Sequence, residues 1–178
     1  MSLLRKFSSR DLLLIAIFSA LGLTIKPIVT PLIHLVSAPL MIPGGSLAGG
    51  FYMMWISLAM AVSGKFGTGI LVGLIQAIVM ITLGYFGSHG AVSLLSYSLP
   101  GIMAESVGLF YTKRTRLGFH TWSCVIANIS GALIVTILVM RLPLLPLLIS
   151  TVAAAISGII GGILSWKILH KLLKFGLV

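Results

Sequence analysis

Residues 142–166 read LPLLPLLISTVAAAISGIIGGILSW, a stretch of 25 residues without a charged side chain. A helix needs about 20 apolar residues to cross the hydrocarbon core of a bilayer. This stretch is long enough for one crossing, and it is bounded by Arg141 and Lys167. It therefore predicts a membrane-spanning helix, and the rest of the chain repeats the pattern.

Four more uncharged stretches lie upstream, at residues 12–25, 27–64, 66–104 and 117–140. The stretches of 38 and 39 residues are too long for one span each, so each must contain a break. Proline and glycine within 39–45, and glycine within 84–90, supply those breaks. The sequence thus predicts six helices, near residues 11–31, 46–63, 67–86, 92–112, 120–140 and 147–170.

The composition excludes most other classes of protein. Of the 178 residues, 58% are hydrophobic and 8% are charged, whereas a soluble domain has about 25% charged residues. The net charge of +10 does not indicate nucleic-acid binding, because the cations are spread between apolar runs and form no polar basic face. We predict an all-α integral membrane protein with a single six-helix domain over residues 1–178.

The cations predict the orientation of the helices. With six spans both termini lie on one side, and that side collects Arg5, Lys6, Arg10, Lys65, Lys113, Arg114, Arg116, Lys167, Lys171 and Lys174. The other side has only Lys26 and Arg141. Because cytoplasmic loops carry the excess of Lys and Arg, both termini are predicted to face the cytoplasm.

The segment 26–45 is apolar but contains Pro27, Pro31, Pro39 and Pro43. We interpret it as the end of the first helix followed by an apolar external loop folded back onto the bundle, which is tolerated where such a loop covers protein. A plain extracellular loop is an equal alternative.

Small residues indicate where helices approach closely, since lipid offers little hydrophobic drive for helix association. The sixth helix carries two such stripes, Ser150, Ala154, Gly158 and Gly162 beside Ala153, Ser157, Gly161 and Ser165. In the first helix, Ala16 and Ala20 lie one turn apart. They form either a docking face for a partner or an internal packing face.

Glu105 is the acid that lies well inside the predicted membrane region, where ionisable groups are costly and usually functional. We predict that it binds a cationic or hydrogen-bonding ligand, a proton, or a cation within the bundle. The alternative is a structural carboxylate near the cytoplasmic end of the fourth helix, paired with Lys113 or Arg114. The further candidates for substrate binding are His34, Trp55, Gln76, Tyr97, Asn128 and Arg141.

Catalytic and metal-binding patterns are absent from the sequence. It contains no His-Glu-x-x-His motif and no cysteine pair, and its lone Cys124 fits a core position. An intramembrane serine protease needs a histidine inside a helix, whereas His120 lies only at the start of one. Ser63-Gly64-Lys65-Phe66 resembles a fragment of a phosphate-binding loop but lacks the first glycine and the final Ser or Thr. We expect no enzyme, no cofactor and no metal site, and an external energy source for any transport.

The chain resembles the substrate-binding S components of energy-coupling factor (ECF) transporters. The architecture, the Ala16-x-x-x-Ala20 step and the apolar first loop carry this resemblance. Residues 50–111 are similar to the thiamine/hydroxymethylpyrimidine group, labelled cobalt-type permeases, through Gly50-Phe51-Tyr52-Met53-Met54-Trp55 and Gly101-Ile102-Met103-Ala104-Glu105.

The resemblance implies a division of labour in a bacterial plasma membrane. An S component captures a vitamin-like molecule, such as thiamine or its pyrimidine precursor, from outside. It docks through the Ala16/Ala20 face onto a transmembrane coupling subunit driven by two cytoplasmic ATPases. A cationic substrate would pair with Glu105, whereas an anionic one would pair with Lys26 or Arg141. A scaffold protein, a small channel and, more weakly, a lipid-modifying enzyme remain the alternatives.

Overall fold

A computed structural model describes residues 7–39, 42–83 and 90–176. Within these ranges the chain is helical and contains no β-strand. The helices are α1 (Ser9–Thr24), α2 (Lys26–Ser37), α3 (Gly44–Ser63), α4 (Thr68–Thr82), α5 (Ser93–Gly108), α6 (Leu117–Ile134) and α7 (Leu144–Lys174). A 3-10 turn, Gly90–Val92, precedes α5, and α6 continues as a π-helical segment, Val135–Val139.

The all-α fold and most of the predicted helices are confirmed. In the described part of the chain, four helical segments are long and apolar enough to cross a membrane: Ser9–Ser37, Gly44–Ser63, Leu117–Val139 and Leu144–Lys174. The helix α4 is apolar but shorter, with 15 residues, and α5 has 16. With α1 and α2 taken together, the described ranges contain six α-helical segments. Residues 84–89 of the predicted second break, and Arg5 and Lys6, lie outside the described residues.

The predicted helix 11–31 is confirmed in its last turns, but the loop predicted to follow it is wrong over residues 32–37, because α2 stays helical to Ser37. Only Ile25 separates α1 from α2, and its φ of −71° and ψ of −24° are helical. Its N–H donates to the carbonyl of Leu21, and its own carbonyl accepts from Val29. Pro27 lies in the first turn of α2, where proline is tolerated because its missing N–H is not needed. The first membrane segment is therefore one nearly continuous helix.

The helix α3 lies at the centre and contacts each of the six other helices. The α1–α2 segment runs antiparallel to it. At one end Asp11 pairs with Lys65, just after α3. At the other end Gly44, the first residue of α3, packs near Ser37. We call the first end, where α1 begins and α7 ends, the terminal face, and the opposite end the far face.

Glycine allows α7 to pack directly against its neighbours. A Cβ atom on Gly161 would lie 2.1 Å from the carbonyl oxygen of Gly50 in α3, and one on Gly158 would lie 2.6 Å from the Cα of Val125 in α6. The first predicted stripe is buried at all four positions. The prediction that this helix approaches its neighbours closely through its small residues is therefore confirmed.

The turn between α3 and α4 depends on two glycines. Gly64 has a φ of 65° and Gly67 a φ of 97°, in the left-handed region that residues with a Cβ rarely adopt. The phosphate-loop fragment of the sequence is thus a tight interhelical turn. It brings the start of α4 back beside the end of α3, at the terminal face.

Candidate functional site

Lys26 lies within the apolar helical segment Ser9–Ser37, with its ammonium group against aromatic rings. Its Nζ is 3.7 Å from the ring centroid of Tyr97 in α5 and 5.1 Å from that of Tyr52 in α3. The hydroxyl of Tyr52 shares a 3.0 Å hydrogen bond with the hydroxyl of Thr30. Tyr52 follows Gly44 by eight residues, so this contact lies about 12 Å along α3 from its far-face end. The lysine thus reaches into the bundle.

The helical path of α1–α2 positions this lysine. Gly22, Lys26 and Thr30 are spaced by four residues, so an almost continuous helix presents them on one face. On α3, Tyr52 and Trp55 are three residues apart and likewise share a face. The two faces oppose each other, since Thr30 contacts Tyr52 and Gly22 packs beside Trp55.

Trp55 and Gln76 extend the contact toward the terminal face. A Cβ built on Gly22 would lie 2.3 Å from Nε2 of Gln76 and 3.6 Å from Cδ1 of Trp55, so both side chains approach the same glycine. The Gln76 amide donates to the carbonyl of Ser19 at 3.4 Å. The indole Nε1–H of Trp55 is buried and has no hydrogen-bond partner among the described residues.

These contacts define a single group of side chains, which we call the aromatic–lysine cluster. It comprises Lys26, Thr30, Tyr52, Trp55, Gln76 and Tyr97. The structure thus brings together three of the predicted substrate-binding residues: Trp55, Gln76 and Tyr97. Sequence reasoning did not include Tyr52 among the candidates. It named Lys26, together with Arg141, as a possible partner for an anionic substrate, but did not place it beside Trp55, Gln76 and Tyr97. The signal that distinguishes Lys26 from Arg141 is its position within an otherwise apolar helix.

Asn128 lies outside the cluster and joins its own helix, α6, to α3 and α7. Its amide Nδ2 donates to the carbonyl of Ala154 in α7 at 2.8 Å and to that of Ser46 in α3 at 3.4 Å. It is 2% exposed, and the absence of a side chain at Gly49 makes room for it. Both acceptors of this amide are thus backbone carbonyls. Its role in binding a substrate stays a prediction.

Glu105 lies toward the terminal face, in an ion pair. Its Oε1 accepts from the Arg114 guanidinium at 3.2 Å, and its Oε2 accepts from the backbone N–H of Gly69 at 2.7 Å. Arg114 also donates to the carbonyls of Met60 and Lys65 at the end of α3. The structure thus contains the Glu105–Arg114 pair that the structural alternative predicted. A direct role for this carboxylate in ligand binding stays a prediction.

His34 and Arg141 do not join the other candidates. His34 is exposed on α2 and approaches Gly44 at the far face. Arg141 is exposed beyond the π-helical end of α6 and has a φ of 48°. The candidates predicted from sequence therefore lie at several separate places. The aromatic–lysine cluster is the place that holds more than one of them.

His120 is a buried polar group that the sequence analysis set aside. It lies in the first turn of α6, is fully buried, and its Nδ1 is 3.0 Å from Oγ of Ser57 and 2.8 Å from Oγ of Ser165. The contact ties α3, α6 and α7 together. Elsewhere, the described ranges contain no group of three His, Cys, Asp or Glu side chains arranged to hold a metal ion.

Comparison with protein families gives a match over most of the chain. The family model described as "ABC-type cobalt transport system, permease component" matches residues 10–136 of 178. The matched range runs from α1 into the π-helical segment and includes every member of the aromatic–lysine cluster. No curated protein and no solved structure matches the chain.

Proposed function

The chain belongs to the family of permease components of ABC-type cobalt transport systems, and from this premise we propose that it is the substrate-binding S component of an ECF-type importer. Family membership makes it a multi-pass membrane component of an ABC-type transporter, working with partner subunits. The proposal adds that it captures a vitamin-like small molecule and delivers it inward across a bacterial plasma membrane. No catalytic step is assigned to the chain itself.

The aromatic–lysine cluster is the observation that carries this proposal. A binding site for a small organic molecule combines apolar and aromatic walls with a few polar groups that fix orientation. Tyr52, Trp55 and Tyr97 supply aromatic surface, and Lys26 and Gln76 supply polar groups at membrane depth. Intramembrane ionisable residues commonly mark substrate pathways, which favours this cluster over an ordinary packing contact.

The proposed docking face lies on α1. Ala16 and Ala20 are both exposed, on the outer surface of the bundle, rather than packed against another helix of the chain. This supports the docking interpretation over internal packing. Small side chains let a partner helix approach closely in lipid, as a coupling subunit must.

The description of the family makes cobalt a second candidate substrate. A divalent cation would need oxygen, nitrogen or sulfur ligands, and Co²⁺ accepts imidazole and carboxylate. The aromatic–lysine cluster offers a cation and aromatic faces, which suit an organic molecule better than a metal ion. The test below therefore includes a metal measurement.

The experiment is purification of the tagged protein from its native membrane, followed by mass spectrometry. We expect a coupling subunit and two ATPases to copurify, and an organic molecule to be released on denaturation. Metal analysis of the same sample tests cobalt. Recovery of bound cobalt without an organic molecule, or of the protein without any ATPase, would contradict the proposal.

A further inference from the structure

Lys26 lacks a carboxylate partner, and the sequence explains why. The chain contains two acidic side chains in all, Asp11 and Glu105. Asp11 pairs with Lys65, and Glu105 pairs with Arg114. Both pairs lie toward the terminal face, so no Asp or Glu of this chain remains for Lys26. Any negative side-chain partner must come from another molecule.

The side chains around Lys26 attract its ammonium group but do not neutralise its charge. The Tyr97 ring lies close enough for a cation–π contact, which attracts the charged form. Aromatic faces carry no net charge, however, and a charge taken out of water is costly unless it is paired. Toward the terminal face, by contrast, Arg114 is paired with a carboxylate. Lys26 thus has an unmet requirement for an anion.

The neighbouring polar groups favour the same kind of ligand. Trp55 is a pure hydrogen-bond donor, and its buried Nε1–H has no partner among the described residues. The Lys26 ammonium also only donates. Ligand atoms that bind to these two donors must accept hydrogen bonds, and the group that pairs with the ammonium carries negative charge, as a carboxylate or a phosphate does.

We propose that the substrate carries an anionic group, a carboxylate or phosphate, that pairs with Lys26 while an apolar or aromatic part of the molecule lies against Tyr52, Tyr97 and Trp55. This inference rests on the proposed transport function and names the substrate class for the same site. Lys26 is the residue that makes the site prefer a negatively charged substrate over a neutral one. Glu105 takes no part in it, because Arg114 already neutralises its carboxylate.

The test compares two probes of the same shape that differ in charge, benzoate and benzamide. The protein carries Trp122→Phe and Trp166→Phe, so that Trp55 is the sole tryptophan and its fluorescence reports on the cluster. It is reconstituted in phosphatidylcholine nanodiscs. We expect benzoate to bind at least tenfold more tightly than benzamide. Equal binding of the two, or no response to benzoate, overturns the proposal.

Three variants locate the charge. Lys26→Met should abolish the preference for benzoate, whereas Lys26→Arg should retain most of it. Arg141→Met is the matched control, because it removes the other predicted far-face cation, which is exposed and outside the cluster; it should bind as the parent does. Thermal unfolding checks that each variant is folded. A Lys26→Met protein that is folded and still prefers benzoate overturns the proposal.

A lipid headgroup could supply the same anionic chemistry, and nanodiscs that contain phosphatidylglycerol distinguish this source. If benzoate binding survives unchanged in them, the site selects a soluble anion, as proposed. If it disappears, the headgroup occupies Lys26 and the assignment to a substrate is overturned. Failure of the ATPases to copurify, with a Lys26-dependent benzoate response, would instead reject the transport function and leave the anion site standing.

Discussion

Glu105 and Arg114 show what a buried charge needs in this protein. Both side chains are largely buried, at 2% and 12% exposure, and each satisfies the other. Removing one member of a buried pair is costly, because it leaves the remaining charge without compensation. The pair also connects α5 to the ends of α3 and the start of α4. We therefore expect it to stabilise the terminal face.

Glu105→Gln should accordingly destabilise the protein, by about 3 kcal/mol, because Arg114 loses its counter-ion. The free energy of unfolding is measured in detergent, with circular dichroism as the signal that monitors the loss of helix. Lys113→Gln is the matched control, since Lys113 is exposed and should change stability by less than about 0.5 kcal/mol. A Glu105→Gln protein of normal stability that no longer binds its ligand would instead show that this carboxylate is part of the binding site.

At the scale of helices, the contact between α3 and α7 depends on backbone approaching backbone. Gly50 and Gly161 face each other with no side chain between them. Ser157 strengthens the contact, since its hydroxyl accepts from the Gly50 N–H at 2.9 Å and donates to the Leu47 carbonyl at 2.6 Å. In lipid, such close packing and hydrogen bonding provide the force that associates helices.

Gly161→Ala should therefore separate α3 from α7 and lower stability by about 2 kcal/mol, at the level of an overpacked core. Gly45→Ala is the control, because a Cβ at that position meets nothing within 4 Å. Thermal unfolding of the two variants in the same detergent gives the comparison. Equal stability of both would contradict the packing that the structure describes.

The positions of the helices could be predicted from the sequence, but the path of the first segment could not. Uncharged stretches between cations locate a span well, because each crossing must exclude charge. The prolines of segment 26–45 suggested that the helix ends near residue 31, whereas the chain stays helical to Ser37. The predicted helix already held Gly22, Lys26 and Thr30 in one register, but the sequence does not show which other helix this face meets. The contact of Lys26 with Tyr52 therefore could not be inferred.

The candidate site was only partly predictable for a related reason. Trp55, Gln76 and Tyr97 were selected because polar and aromatic groups are conspicuous in apolar helices. Glu105 was selected by the same rule, which does not show where a partner such as Arg114 will lie. Sequence distance between the two is nine residues, but a turn after α5 brings them together. Side chains that pair across different helices can therefore be identified only once the fold is known.

For the molecule as a whole, the orientation in the membrane is a prediction of the cation distribution. Single cysteines can test it in a Cys124→Ser background, because Cys124 is the sole cysteine. We expect Lys113→Cys to react with a membrane-impermeant maleimide only after the cells are opened, and Arg141→Cys to react on intact cells. The reverse pattern would place the termini outside.

Docking onto a coupling subunit is likewise a property of the whole assembly. Ala20→Trp should abolish uptake and leave substrate binding unchanged, because a bulky side chain on the outer face of α1 blocks only the approach of another helix. Ile160→Trp is the matched control: it places the same indole on an exposed position of α7. Normal uptake by the Ala20→Trp protein would show that α1 does not face the partner.

The unequal lengths of the helices have a mechanical consequence in the bilayer. The Ser9–Ser37 segment of 29 residues rises about 43 Å, whereas α4, with 15 residues, rises about 22 Å. A hydrocarbon layer about 30 Å thick matches neither length, so we expect the long segment to tilt or the lipid beside α4 to thin. These two elements contribute Lys26 and Gln76 to the same cluster. We therefore expect the acyl-chain length of the surrounding lipid to change the angle between the two elements, and with it the shape of the site.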